Sequence, residues 1–180
     1  MSIEEVIILG ARFIGSLPVL RWAFAGALIA ILVDFSDLFM MNLIDLGGVR
    51  DYQSFDKRAD IFYISSFILV ALRWPSMQRN VALVLFVFRI AGIGVFELIG
   101  WRGVLLFFPN VFDFWFLFVS GLMRFKPTYQ MTRERAVFWV VTLSILKLIQ
   151  EYLLHWSKWL DNYRATDVVV NWWHEIWRLL

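Results

Sequence analysis

The stretch VDFSDLFMMNLIDLGGVRDYQSFDKRAD, residues 33–60, joins two apolar runs through an acid-rich hinge. Asp34 and Asp37 stand at the end of the first run, and Asp56 and Asp60 open the second. A carboxylate at the edge of a hydrocarbon slab is costly, so four of them gathered there point to a polar site. The run before the hinge, AFAGALIAILV (residues 23–33), contains no polar side chain. Uninterrupted apolar sequence ending in clustered acid reads as two membrane helices joined on one side of a bilayer.

The composition agrees. Of the 180 residues, 61% are hydrophobic and 18% aromatic, with ten Trp, where a soluble domain is about 45–50% apolar. The mean hydropathy is +0.68. Belts of Trp mark membrane interfaces. A formal net charge of +2 on scattered basic residues gives no footprint for nucleic acid. The absence of Cys excludes disulfides, thiolate nucleophiles and zinc–thiolate sites. The start, MSIEEVIILGARF, is acidic and has no basic region or small-residue cleavage site, so it does not read as a cleaved signal peptide.

Outward from the hinge, the pattern predicts an all-α, polytopic transmembrane bundle forming a single integral domain. Its five spans fall at about 18–44, 56–74, 81–100, 103–123 and 136–160. Residues 3–16 are too few to cross a bilayer, which takes about 20 helical residues, and read as an interfacial helix ended by Ser16 and Pro18. The tail TDVVVNWWHEIWRLL reads as a second interfacial helix, capped by Thr166 or Asp167. Basic residues near the span ends divide almost evenly between the two sides, with a faint lean to the side of the N-terminus. The expected location is a cytoplasmic membrane of bacterial type. The expected partners are the lipid bilayer and other membrane subunits or a second copy of the chain, with no nucleic acid.

Several ionisable residues fall inside these spans. Arg89 and Asp113 lie at nearly equal depth in spans three and four, counted outward from the turn at 100–103, and are expected to pair. An isolated charge at that depth costs about 3 kcal/mol or more. Pro109-Asn110 interrupts span four just before Asp113. Gly92 and Gly94 allow close helix approach. Lys147, Glu151, His155 and Lys158 form a polar stripe in span five, and Glu97 sits near the end of span three. Arg89, Glu97, Asp113, Lys147, Glu151 and His155 are therefore read as an intramembrane polar network. Asp34, Asp37, Asp56 and Asp60 are read as a site for a hard divalent cation, Mg²⁺ or Mn²⁺, because oxygen ligands suit such ions. The plainer alternatives are helix capping for Asp56 and Asp60, an i,i+4 ion pair for Lys147 and Glu151, and an interfacial anchor for His155.

The spacing Asp34-x2-Asp37-x18-Asp56-x3-Asp60 resembles the signature of the CDP-alcohol phosphotransferases. The resemblance covers residues 34–60 and implies divalent metals on the aspartates, with Asp60 as ligand or general base. The sequence departs from the pattern at Leu38 and Tyr52, where the family has Gly, and at Met41-Asn42, where it has Ala-Arg. Those positions bear on nucleotide binding. Two functions follow as expectations. The first is a cation- or proton-handling unit or a subunit of a membrane complex. The second is a metal-dependent membrane phosphotransferase.

Overall fold

The computed structural model describes residues 3–36, 52–100, 103–152, 173–174 and 177–178, and among these every regular element is helical. Helix α1 spans Ile3–Ser16 and a 3₁₀ turn spans Leu17–Leu20. Helix α2 is Ala23–Phe35, α3 is Tyr52–Ala71 and α4 is Ser76–Ile99. A five-residue helix, α5 (Gly103–Phe107), precedes α6 (Val111–Phe125), and α7 is Arg133–Glu151. The expected tail helix lies outside the described residues apart from positions 173–174 and 177–178.

Local chemistry sets these boundaries. Ser16 Oγ donates to the Phe13 carbonyl at the end of α1, and Ser36 Oγ donates to Val33 O at the end of α2. Pro18 sits in the first turn of the 3₁₀ segment, where a missing N–H costs nothing. Pro75 precedes α4, and Gly100 ends it at φ +70°, a conformation that glycine adopts without strain. Pro109 splits the expected fourth span into α5 and α6, since proline cannot continue the backbone ladder.

Aromatic packing between α3, α4 and α6 forms the centre. Phe67 stacks on Phe116 at 4.2 Å, and Trp74 lies against the same ring at 4.9 Å. Phe86 meets Phe112 edge-on, and the fully buried Trp115 donates its indole N–H to Gln78 O at 3.1 Å. Trp74, the last residue of the expected second span, is thus a core residue. Helix α1 packs against α2 and α3 and buries Ile8 and Arg12. Its opposite face, Ile3, Val6, Phe13 and Ile14, is exposed.

One described helix, α4, is long and apolar enough to cross a membrane by length and composition; α2 and residues 59–71 of α3 are apolar but shorter. The two glycines of α4 differ in role. A Cβ on Gly92 would lie 2.3 Å from Phe108 Cβ, whereas one on Gly94 would meet nothing within 4 Å. Gly92→Ala is therefore expected to destabilise the protein by about 1–3 kcal/mol through overpacking. Gly94→Ala should leave stability unchanged or raise it by up to about 1 kcal/mol through helix propensity. Thermal unfolding of the two purified variants checks this, and equal loss from both would refute the assignment of Gly92 as the contact point.

Candidate functional site: a buried charge network

Five helices bring their charged side chains together, next to the aromatic core. On α3, Asp60, Tyr63 and Phe67 recur at i, i+3 and i+7 and so share a face. Tyr63 meets Phe67 ring-to-ring at 5.4 Å, which ties the polar layer to the apolar one. On α4, the buried residues Arg89, Gly92, Ile93 and Phe96 define the face that turns toward α3 and α6. Arg12 arrives from α1, Asp34 from the last turn of α2, and Asp113 from the first turn of α6.

Asp60 is the hub. Its Oδ1 accepts from Arg12 Nη1 at 3.0 Å and its Oδ2 accepts from Arg89 Nη2 at 3.0 Å. Arg12 Nη2 also lies 2.9 Å from Asp34 Oδ1. Arg12, Asp60 and Arg89 are only 3%, 3% and 4% exposed, so these are interior ion pairs. The Asp34 side chain is 27% exposed and forms the outer edge of the group. Among the described residues the group joins two cations to two anions. Buried charges in this state hold helices in register.

Asp113 forms a second, adjoining centre. Its Oδ2 accepts from the Tyr63 hydroxyl at 2.9 Å and from Asn110 Nδ2. Asn110 Nδ2 also donates to the Tyr63 oxygen at 3.1 Å. The other carboxylate oxygen, Oδ1, is buried and has no hydrogen-bond partner among the described residues. Asn110 Oδ1 and Arg89 Nε are in the same condition. Arg89 Nη1 donates to the Phe108 carbonyl at 3.3 Å, one of the groups released by the helix break at Pro109. This placement fits the rule that backbone freed by a broken helix must be satisfied inside the protein.

The expected partner of Arg89 was Asp113, and the structure gives it Asp60 instead. Equal depth along two helices does not fix the rotation of either. Arg89 turns toward α3, while Asp113 takes neutral donors from α3 and from its own N-terminal turn. Of the other expected network members, Glu97 lies exposed in the last turn of α4. Lys147 is half-buried, donates to Gln150 Oε1 at 2.9 Å and lies over the Phe114 ring. Asp37, His155 and the side chains of Asp56 and Glu151 lie outside the described residues.

The expected metal site can be judged on the two aspartates that are described. A divalent cation on Asp34 and Asp60 would have to share their oxygens with the Arg12 guanidinium. Arg12 thus already pairs with both described carboxylates, and the other two expected ligands, Asp37 and the side chain of Asp56, lie outside the described residues. Among the described residues no group of three or more His, Cys, Asp or Glu side chains could hold a metal ion.

Sequence reasoning missed Arg12, Tyr63 and Asn110. Arg12 had a visible signal: with Ile8 and Ser16 it marks one helical face at i, i+4 and i+8. Tyr63 follows Asp60 by three residues, and Asn110 precedes Asp113 by three, the spacing at which helical side chains meet.

Fold and site together define an all-helical bundle organised around an interior ion-pair network. Comparison of the chain with protein-family models, with curated proteins and with solved structures found no match in any of the three.

Proposed function

We propose that the protein is a multi-pass membrane bundle that handles protons, with Asp113 as the group that takes and releases them. The observation that carries this reading is the buried Asp113 Oδ1 without a partner, beside an Oδ2 that already holds two donors. The neighbouring Arg12, Asp34, Asp60 and Arg89 pair with one another and serve as scaffold. Protonation at Oδ1 turns the carboxylate into a neutral acid without moving Tyr63 or Asn110. A bare metal cation is a poorer occupant, because Arg89 lies within the same network. Ionisable side chains inside a membrane bundle mark proton or ion paths by default.

The membrane setting has support of its own. Only 28% of the apolar window of α4 is buried within the bundle, whereas the core helix of a water-soluble protein is mostly covered. Large side chains such as Val84, Val87, Leu98, Phe138 and Val141 point outward. Lipid accepts such faces, and water does not.

The test is proton flux into liposomes holding the full chain, driven by a potassium-diffusion potential and read by a trapped pH-sensitive dye. Wild type is expected to exceed protein-free liposomes, and Asp113→Asn is expected to fall to the protein-free rate while eluting and melting like wild type. Flux unchanged in Asp113→Asn, or no flux from wild type, would defeat the proposal.

A further inference from the structure

One end of the bundle is strongly basic. The turn after α1, the α3–α4 turn and the α6–α7 loop meet there: Phe24 packs edge-on against Phe125 at 5.3 Å, and Pro75 lines one small cavity with Lys126, Pro127 and Tyr129. Residues 17–24, 70–80 and 120–136 carry Arg21, Arg73, Arg79, Arg124, Lys126, Arg133 and Arg135 against a single acid, Glu134. The rest of the chain has an acidic balance, since the whole is only +2. All seven cations but the half-buried Arg79 are exposed, and none makes an ion pair among the described residues.

Within this collar the α6–α7 loop shapes a shallow, open cleft lined by Lys126, Pro127, Thr128, Tyr129, Gln130 and Arg135. The cleft is a set of donors with no carboxylate. Arg135 is held in place by its Nη1 bond to Gln130 O at 2.9 Å and by its guanidinium lying over the Tyr129 ring at 5.2 Å. The remaining N–H groups of its guanidinium make no hydrogen bond among the described residues. The Tyr129 oxygen accepts from the Trp139 indole at 3.1 Å, so its own hydrogen is available to donate. Phe125 also lines the cleft and is 66% exposed, and Trp22 at the same end is 60% exposed. Such aromatics sit at the level of lipid headgroups.

We infer that this cleft binds the phosphate of an anionic phospholipid headgroup, with Lys126 and Arg135 as the charged donors and Phe125 against the glycerol and upper acyl chain. Guanidinium and ammonium groups recognise phosphate oxygens by charge-assisted hydrogen bonds. Basic clusters at a membrane surface attract anionic lipid. The inference rests on the membrane reading above and makes the basic end the one facing the anionic, cytoplasmic leaflet.

The experiment is native mass spectrometry of the detergent-purified full chain. It is titrated with an anionic phosphatidylglycerol, with a zwitterionic phosphatidylcholine and with inorganic phosphate. The anionic lipid is expected to bind about tenfold more tightly than the zwitterionic one. Lys126→Gln/Arg135→Gln is expected to remove that difference, and Arg73→Gln, in the collar but outside the cleft, to keep most of it. Lys126→Gln alone carries the test if the double variant does not fold. Equal binding of both lipids, or equal loss from Arg73→Gln, would overturn the site. Displacement of the lipid by inorganic phosphate at matching concentration would make it a free-phosphate site and overturn the lipid assignment. Release of the protein from membranes by alkaline carbonate would defeat the membrane reading separately, whatever the phosphate affinity.

Discussion

Asp60→Asn should be among the most destabilising single changes in the network, costing about 3–5 kcal/mol, the usual result of stranding a charge inside a protein. The substitution keeps the shape of the side chain and removes the negative charge that faces both Arg12 and Arg89. The two guanidiniums do not suffer equally. Arg12 still has Asp34 at 2.9 Å, whereas Arg89 keeps only the Phe108 carbonyl at 3.3 Å. The stranded charge is therefore on Arg89, and the second substitution that relieves it should be specific. Asp60→Asn/Arg89→Met is expected to be more stable than Asp60→Asn alone, and Asp60→Asn/Arg12→Met is not. Unfolding of the purified variants by heat or by titration with SDS reads these differences. Equal recovery from both double variants would show that Arg89 does not depend on Asp60. By contrast, Asp34→Asn should cost about 1 kcal/mol, because Asp34 is partly exposed and Arg12 stays held by Asp60.

That asymmetry also shows which parts of the site were legible in the sequence. The helical class followed from apolar runs bounded by Pro75, Gly100 and Pro109, and the structure places helix ends or breaks at all three. The burial of Arg89 followed from its position in the middle of a long apolar run. Its partner did not follow, because counting residues from a turn gives height along a helix and leaves rotation open. On α4, Gly92 lies close against Phe108 in the break between α5 and α6, a contact that no single-helix pattern contains. Arg12 was hidden for another reason. A segment of 14 residues cannot cross a bilayer, which invites reading it as a surface helix, and a surface helix would leave Arg12 in the headgroups. The helix instead packs along α2 and α3, and the arginine it carries is what lets Asp34 and Asp60 lie close together. Of the four hinge aspartates, Asp34 and Asp60 join this group, and the arginines that pair with them, Arg12 and Arg89, come from distant sequence.

Gly26→Ala should disrupt this arrangement although it touches none of the charged groups. A Cβ at Gly26 would fall 2.3 Å from Val19 N, 2.4 Å from Val19 Cα and 2.5 Å from Pro18 C. All three are backbone atoms, so no change of rotamer makes room, and α2 must move away from the 3₁₀ turn. Small residues at helix contacts permit approach of this kind. The move has two consequences. Packing of the buried Val19 and Ala27 is lost, which with the overpacking itself is expected to cost about 3 kcal/mol, the upper end for an inserted methyl group. In addition, α2 carries Asp34 eight residues further on, about 12 Å along the helix, and pivoting α2 away from the turn draws Asp34 off Arg12. A second glycine offers the control. Gly121→Ala would set its Cβ 3.1 Å from the edge of the Phe24 ring, a side chain that can tilt, so its cost should stay near 1 kcal/mol. The readout that separates a packing defect from a coupled one is a double-mutant cycle with Asp34→Asn. If α2 positions Asp34 for Arg12, Asp34→Asn should cost less in the Gly26→Ala background than in wild type. Strict additivity would mean that α2 can shift at Gly26 without loosening the ion pair.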